Sequence, residues 1–355
     1  MSSKVRAKLH GERIKDGNGW NQGRGSLAGV SISTVSYVMT GKRPIGAKTR
    51  QRVLQAARDL GYLAKNGSPA PLNGETHFVA LSSPVHDSTS YTNYCAYFLN
   101  FLKAARQLGY GTLLLTEETG DEQLRSIIDT GMVDGVALMD VTMNDPRIEL
   151  AQFSTIPFIS IGHPMDEINV PCIDTDFIEM GEMIMQTLHR NGHDRILFIG
   201  GKKIDYERAG GANYLIRLRT SMHAAAARYG IHIDEEFTDN DDFDAAENLL
   251  ERFISDKKNT AIVTQGGPLF LNNLVAATRQ RGIRIPQDLS LVSAGTYTDS
   301  MGKRLRIDEF PLMPAELCQL GMNMLVHLMD GTIKRKENAT LIHPIYKQRG
   351  SITSL

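Results

Sequence analysis

The chain has 355 residues and three cysteines, Cys95, Cys172 and Cys318, so it is long enough for two or three domains and lacks the cysteine spacing of a disulfide framework or a zinc site. Its net charge of −1 conceals an uneven distribution of charge along the chain. Residues 1–74 hold thirteen Lys and Arg against three acidic residues, while the remainder holds 26 Lys and Arg against 37 acidic residues. A basic module on an acidic body favours nucleic acid as a partner, and we expect neither a metal nor any other cofactor.

We interpret residues 1–26 as an irregular basic segment. Their opening, MSSKVRAKLHGERIKDGNGW, lacks the apolar run of a signal peptide, and no later stretch approaches eighteen consecutive apolar residues. We therefore expect a protein of the reducing cytoplasm that has no membrane partner.

Residues 27–63 carry the pattern of a helix-turn-helix head. In LAGVS, Gly29 is placed for the tight turn between two helices and Ser31 is placed to cap the second. In ISTVSYVMTG, apolar residues with helical spacing predict a buried stripe, namely Val35, Val38 and Met39. The outer face, which we expect to enter the major groove of DNA, consists of Ile32, Ser33, Thr34 and Tyr37.

A third helix is predicted in KTRQRVLQAARDLGY, with four apolar residues turned inward, namely Val53, Leu54, Ala57 and Leu60. The next segment, AKNGSPAPLNGET at residues 64–76, is rich in Pro, Gly, Asn and Ser. This composition indicates a hinge between the head and the body.

In residues 77–355, short apolar runs such as DGVALMD and RILFIGG alternate with helical patterns such as YFLNFLKAARQLG. Such alternation predicts parallel sheets covered on both faces. Because the units exceed what one sheet usually holds, we expect an α/β body of two Rossmann-like subdomains. A ligand cleft would lie at the carboxyl ends of their strands.

These motifs, taken in order, resemble the LacI/GalR family of bacterial transcriptional regulators. The likeness rests on LAGVSISTVSYVMTGKRPIGAKTRQRVLQAARDLGY and on later segments that include MVDGVALM, NGHDRILFIGG and RGIRIPQDLSLVS. It implies a helix-turn-helix head on two periplasmic-binding-protein-like subdomains. It also implies a homodimer that binds a double-stranded DNA operator, as a repressor, with an affinity set by a small-molecule effector.

The resemblance assigns DNA contacts to five positions. Ile32, Ser33 and Tyr37 fall where base-reading side chains lie, and Thr34 falls at a phosphate contact. Leu72 is the candidate for the hinge residue that wedges into the minor groove. For Tyr37, packing on the neighbouring helix is the alternative interpretation.

Two segments depart from the family pattern. WNQGRGS stands where the first helix is expected, and its glycines predict a degenerate helix. ERIKD resembles the family's usual opening but lies about ten residues early, so an insertion and a misread start both remain open. In the hinge, Pro69 and Pro71 disfavour a helix.

For the effector cleft, the resemblance gives a set of lining positions, namely Asn93, Tyr94, His163, Arg217 or Arg219, and Phe243. Each has an ordinary structural alternative, such as a core aromatic residue or a solvated helix face. Gly267 and Gly295 replace the acidic or amide residues that the family carries at two strand ends. With two polar anchors missing, we expect either a flat or anionic effector in place of a neutral hexose, or a pocket that has lost its ligand.

Other classes of function have weaker support. The sequence has no P-loop, no G-x-S-x-G elbow and no H-E-x-x-H motif, so we do not expect an enzyme. A periplasmic binding protein would share the body, but the basic head and the lack of a signal peptide disfavour it. A ligand-binding dimer with a decayed DNA-binding head is the remaining alternative.

Overall fold

The computed structural model describes residues 29–31, 34, 38, 45–59, 75–85, 91–117, 121–142, 144–164, 170–207, 211–256, 259–296, 304–333 and 339–355. The chain divides into two compact units. The head unit is Met1–Thr76 with Ser126–Val133, and the body unit is His77–Arg125 with Asp134–Leu355. Within the described ranges, none of the helices combines the length and apolar character needed to cross a bilayer.

In the head unit, the predicted turn and cap are both present. Gly29 has a φ of 64°, which residues with a side chain rarely adopt. The Ser31 hydroxyl accepts a hydrogen bond from the Thr34 amide at 3.3 Å, which is the geometry of a helix N-cap. Helix α1 spans Ala47–Asp59.

The core of the head unit is small. Val38, Val53 and Ala56 are buried together, and the partly buried side chains packed on them are Val30, Ile45 and Leu54. The predicted inward direction of Val38, Val53 and Leu54 is therefore confirmed. Val35, Met39 and Leu60, the side chain of Ala57, the degenerate first helix and most of the hinge lie outside the described residues.

The body unit contains two lobes. The sheet of the first lobe consists of β1 (Phe78–Ser82), β2 (Gly111–Leu115), β3 (Gly135–Met139), β4 (Phe158–Ile161), β5 (Cys172–Thr175) and β11 (Ala339–Ile342). Its order is β11–β5–β4–β3–β1–β2, and these described strands pair in parallel. Every residue of β3 is buried, as expected for a parallel strand covered on both faces.

The helices of the first lobe are α2 (Tyr91–Gln107), α4 (Pro146–Phe153) and α9 (Pro314–Met329). Helix α3 (Asp121–Thr130) begins in the body unit and ends in the head unit. Helix α9 packs on α2, and its buried residues Leu317 and Met322 share a core with Val79 of β1 and Phe101 of α2. The apolar run LGMNMLVHLM thus belongs to this lobe, although it lies near the end of the chain.

The second lobe has the strands β6 (Arg195–Gly200), β7 (His232–Phe237), β8 (Ala261–Thr264), β9 (Ser290–Thr296) and β10 (Asp308–Pro311). Their order is β10–β9–β8–β6–β7, again with parallel pairing. The helices are α5 (Phe177–Arg190), α6 (Asn213–Tyr229), α7 (Phe243–Asp256) and α8 (Pro268–Gln280). Leu197 and Phe198 of β6 belong to two different core clusters, as expected for a sheet covered on both faces.

The chain passes between the lobes after β5, after β10 and after β11. The last crossing returns the C-terminal segment to the second lobe, where the Ser351 carbonyl accepts from the Leu291 amide at 2.9 Å. This two-lobed α/β architecture with a separate helical head confirms the predicted fold class.

Candidate functional site

The two lobes meet at segments that follow the carboxyl ends of their strands. Thr142, shortly after β3, forms an antiparallel bridge with Ala212, which precedes α6. The Thr142 carbonyl also accepts from Asn213 Nδ2 at 3.1 Å, and Asn213 is buried. The crevice of an open α/β sheet, where ligands bind, lies at such strand ends.

Arg217 crosses this junction from the second lobe. It lies one turn beyond Asn213 on α6, and its Nη2 donates to the Pro164 carbonyl, after β4, at 2.8 Å. The positive charge of Arg217 is also close enough to lower the pKa of Asp174 on β5. Of the two arginines proposed from the sequence, Arg217 is therefore the one that reaches the other lobe.

Asp174 is a buried carboxyl group at the crossing between the lobes. Its Oδ2 accepts from the His163 amide and its Oδ1 from the Thr175 amide, both at 2.8 Å. Burial raises the pKa of Asp174 to about 7, although the two amide hydrogen bonds and Arg217 act to lower it. Asp174 thus titrates in the neutral range, and it places His163 at the junction through the backbone.

Tyr94 lies on the first lobe's side of the crevice. Its hydroxyl lies between the Pro84 carbonyl oxygen, after β1, and Asp140 Oδ2, after β3, and it donates to Asp140 at 2.6 Å. The Phe98 ring packs edge-on against the Tyr94 ring. Tyr94 is therefore bound to a carboxylate at the strand ends. Asn93 lies in α2, but its side chain is outside the described part of the chain.

Arg219 finds its partners within the second lobe. Residues 217 and 219 are two positions apart on one helix, so their side chains leave on nearly opposite faces. Arg219 binds Glu235 of β7 through Nε and Nη2, each at 2.6 Å, and its guanidinium carbon lies 5.9 Å from the centre of the Phe237 ring. Burial acts to raise the pKa of Glu235, but hydrogen bonds from Arg219 and His223 hold it below its usual value.

Sequence reasoning missed two polar residues of the second lobe, Gln265 and Tyr206. Gln265 follows β8, and its Oε1 accepts from the buried Tyr206 hydroxyl at 2.8 Å. The ring of Tyr206 packs edge-on against those of Phe198 and Phe237. The position of Gln265 directly after an apolar strand was the available signal.

The two glycines in this lobe border open space, since a Cβ at Gly267 or Gly295 would meet no atom within 4 Å. Gly267 is the N-cap residue of α8. Gly295 has a φ of 79° and lies where the register between β9 and β10 shifts. The bulge therefore accounts for glycine at 295 by backbone conformation alone.

Phe243 is the first residue of α7, and it is partly buried against the core that lines one face of the second sheet. A packing role is the simplest account of its position.

Of the DNA-contact positions, Ile32, Ser33, Tyr37 and Leu72 lie outside the described residues. Thr34 is described, and its Oγ1 lies 2.9 Å from Ser31 Oγ on an exposed surface. Thr34 thus takes part in the cap of the helix that carries the proposed base-reading residues.

The buried position of Arg147 was also not predicted from the sequence. This arginine is only 1% exposed, and its guanidinium lies at the carboxyl ends of β1 and β3. The available signal was the segment DPRI, in which Asp145 precedes a proline at the first position of a helix.

Comparison with known proteins identifies both parts of the chain. Residues 26–65 match the family model of bacterial regulatory proteins of the lacI family, and residues 185–352 match that of the periplasmic binding protein-like domain. The transcriptional regulator AglR of Rhizobium meliloti is 28% identical over 284 residues, which covers 75% of each chain. The ribose operon repressor of Escherichia coli K12 is 24% identical over 340 residues, which covers 92% of this chain and 97% of the repressor.

Solved structures show the same fold. The transcriptional regulator CelR in complex with cellobiose superposes with a TM-score of 0.63 at 21% identity, covering 93% of this chain and 99% of that chain. The lac repressor dimer bound to operator and the anti-inducer ONPF gives a TM-score of 0.62 at 16% identity, with coverages of 93% and 98%.

A helix-turn-helix head joined to a two-lobed periplasmic-binding-protein-like body defines a ligand-responsive DNA-binding protein. The chain belongs to the LacI/GalR family of bacterial transcriptional regulators. No enzymatic family is among these matches. In the described residues, burial also raises the pKa of the Cys172 and Cys318 thiols to about 12, which leaves both protonated and poorly nucleophilic.

Proposed function

We propose that this regulator binds its operator as a homodimer and that a neutral carbohydrate, held between the two lobes of the body unit, sets its affinity for DNA. The proposal rests on the hydrogen bonds that join the two lobes. Arg217 and Asn213 of one lobe contact Pro164 and Thr142 of the other at the strand ends. A ligand that favours one arrangement of these contacts favours one conformation of the lobes.

The charges around the crevice support a neutral effector. Arg219 is paired with Glu235, and Arg217 donates to the Pro164 carbonyl close to Asp174, whose pKa burial raises to about 7. The pairing of Arg219 and the hydrogen bond of Arg217 to a backbone carbonyl favour a neutral effector over the anionic one expected from the sequence. Asp140 adds a carboxylate at the same strand ends. Carboxylate and amide oxygens accept hydrogen bonds from sugar hydroxyls.

The polar side chains that positions 267 and 295 lack have counterparts at two other strand ends. Gln265 supplies an amide after β8, and Asp140 supplies a carboxylate after β3. The relatives support the same class of ligand, since CelR was solved with cellobiose and the relative in Escherichia coli is named for ribose. We propose Tyr94, His163 and Arg217 as effector-site residues together with these two, and we assign Arg219 and Phe243 to the surrounding framework.

A second copy of this chain is the proposed partner on the first lobe. Helix α2 and the neighbouring strands β1 and β2 expose four large apolar side chains, namely Phe78, Leu99, Leu102 and Leu114. Leu99 and Leu102 line a cavity of about 410 Å³ with Tyr110, Gly111 and Thr112, and the cations Lys103 and Arg106 also border it. Contiguous apolar patches on a regulator indicate an interface, and the lac repressor, of similar fold, was solved as a dimer.

In the head, we propose that Ile32, Ser33 and Tyr37 read bases, that Thr34 contacts a phosphate and that Leu72 enters the minor groove. The lacI family match to residues 26–65 supports the assignments of Ile32, Ser33, Thr34 and Tyr37. We also retain the boundaries 27–63, 64–76 and 77–355 for head, hinge and body as proposals.

The test uses the full chain. DNA retained from sheared genomic DNA is sequenced, and the affinity for the enriched site is measured with and without cellobiose, maltose or ribose. We expect a neutral sugar to change the affinity about fivefold or more, which corresponds to a typical allosteric coupling free energy. A response confined to acidic or aromatic compounds would overturn the carbohydrate proposal, and retention of random sequences alone would overturn the operator proposal.

A further inference from the structure

The guanidinium of Arg147 joins the carboxyl ends of two adjacent strands. Its Nη1 donates to the Ser82 carbonyl, the last of β1, at 2.9 Å. Its Nη2 donates to the Met139 carbonyl, the last of β3, at 3.0 Å and to the Asp140 carbonyl at 3.2 Å. Arginine suits this place because its planar fork can donate to several fixed acceptors at once.

Asp145 completes the arrangement. It accepts from Arg147 Nε through Oδ1 at 2.9 Å and from Nη2 through Oδ2 at 2.6 Å, and both side chains are almost fully buried. The same carboxylate caps α4 by accepting from the Arg147 amide. It also accepts from the Thr142 amide at 3.3 Å, and Thr142 is the residue that touches the other lobe.

Arg147 and Asp145 therefore act on two residues of one short segment, Asp140 and Thr142. Asp140 has a φ of 53°, which is uncommon for a residue with a side chain, and its carbonyl is held by Arg147. Its carboxylate is thereby turned to the Tyr94 hydroxyl. Two residues later, Thr142 contacts Ala212 and Asn213.

A buried ion pair with this many partners is not explained by stability alone. Such pairs contribute little net stability relative to apolar side chains of similar size, because both charges must leave water. Their best-attested use is to specify one arrangement of the groups around them.

We propose that Arg147 and Asp145 form a positioning pair that couples the effector crevice to the contact between the lobes. The pair holds Asp140 in the conformation that faces the effector, and it holds Thr142 in the conformation that bridges to the second lobe. Neither residue touches the effector. The inference depends on the proposed function only in treating the crevice at Asp140 as the effector site.

Hydrogen exchange on the full chain tests the positioning directly and needs no ligand. Arg147→Lys keeps the charge but loses the fork. We expect the Thr142 and Asn213 amides to exchange about tenfold faster or more, while Val263 of β8 keeps its wild-type rate. Arg195→Lys is the matched control, because Arg195 pairs with Asp234 at the amino end of β6, away from the crevice. It should leave Thr142 unchanged.

Asp145→Asn provides a second variant, since an asparagine still caps α4 but carries no charge to pair with Arg147. We expect it to accelerate exchange at the same two amides. Wild-type rates at Thr142 and Asn213 in either folded variant would overturn the proposal. If both variants fail to fold while Arg195→Lys folds, the pair is a determinant of the fold and the proposal is also overturned.

A coupling measurement connects the pair to the effector. The stabilisation of the protein by cellobiose, maltose and ribose is compared in wild type, Arg147→Lys, Asp140→Asn and the double variant. Since Arg147 acts through Asp140, the double variant should lose no more affinity than the stronger single variant. Additive losses would contradict the coupling. If no sugar stabilises the wild type, the carbohydrate proposal fails, while the exchange experiment still decides the role of the pair.

Discussion

Arg217 of helix α6 donates a hydrogen bond to the carbonyl oxygen of Pro164, so a side chain of the second lobe holds the backbone of the first at the point where β4 ends. Arg219, two positions later, forms its bidentate ion pair within the second lobe, with Glu235. One helix thus carries one arginine that links the lobes and one that does not.

This difference predicts unequal effects of two similar substitutions. Arg217→Ala removes a partly buried, charge-assisted hydrogen bond between the lobes, and we expect it to lower the free energy of unfolding by about 1–3 kcal/mol. Because the bond spans the junction, we also expect the effector to lose most of its influence on operator binding. The measurements are urea unfolding and operator affinity with and without the stabilising sugar.

Arg219→Ala is the control on the same helix. The Arg219 side chain is 37% exposed, so we expect a loss of about 0–1 kcal/mol and a retained response to the effector. Equal loss of the response in both variants would show that the arginines have been assigned to the wrong faces of α6.

Asp174 predicts a pH dependence of stability. Burial raises its pKa from 3.8 to about 7, so between these values the folded chain keeps a proton that the unfolded chain has released. Its contribution to stability is therefore full below pH 4 and is lost as the pH rises to 7. Asp174→Asn, which cannot ionise, should flatten this dependence, as measured by urea unfolding at pH 5 and pH 8.

The contribution of His193 to stability changes with pH in the opposite direction to that of Asp174, so His193 provides an internal control. Burial lowers its pKa below 6.5, so its contribution to stability is present above pH 6.5 and is lost as the pH falls. This dependence should persist in Asp174→Asn. An unchanged difference in the free energy of unfolding between pH 5 and pH 8 in Asp174→Asn would show that Asp174 is ionised throughout that range.

The apolar patch on α2 predicts a monomeric variant. Leu102→Glu places a charge among exposed leucines, and burial of that charge in an interface is unfavourable, so we expect sedimentation velocity to show dissociation at concentrations where the wild type is a dimer. Phe153→Glu is the control, because Phe153 is 80% exposed at the end of α4 and lies outside the patch. A dimer that survives Leu102→Glu would place the interface elsewhere.

The fold could be predicted in large part from the sequence. Parallel strands buried on both faces, such as Gly135–Met139, are continuous apolar runs, and their alternation with helical patterns defines the two lobes. The turn at Gly29 and the cap at Ser31 followed from local chemistry alone.

The site could be predicted only in part, because side-chain direction depends on packing between distant segments. The spacing R-L-R placed both arginines on α6 but could not say which faced Pro164. From the sequence alone, Gly295 looks like a lost ligand contact, whereas the register shift beside β10 accounts for it by backbone conformation. Arg147 was overlooked because its partners Ser82 and Met139 are far from it along the chain.

In the head, Tyr37 lies outside the described residues, and its base-reading role remains a prediction from the family resemblance. Tyr37→Ala should cost about 1–3 kcal/mol on the preferred operator and leave random-sequence binding nearly intact. Lys48→Ala, on the exposed face of α1, should weaken both kinds of binding equally and reduce the salt dependence. Equal losses on both DNAs for Tyr37→Ala would remove its base-reading role.

The hydrogen bond from Tyr94 to Asp140 gives the sharpest test of the effector crevice. Tyr94→Phe keeps the ring against Phe98 but removes the donor that orients the carboxylate, so we expect the affinity for a stabilising sugar to fall about tenfold, a loss near 1.4 kcal/mol. Tyr229→Phe is the matched control, since Tyr229 donates to Glu182 at 2.6 Å on the second lobe, between α6 and α5. Both variants remove one tyrosine–carboxylate bond and should have similar melting temperatures, but only Tyr94→Phe should weaken binding of cellobiose, maltose or ribose in isothermal titration. If the two variants bind the sugar equally well, Asp140 does not face the effector.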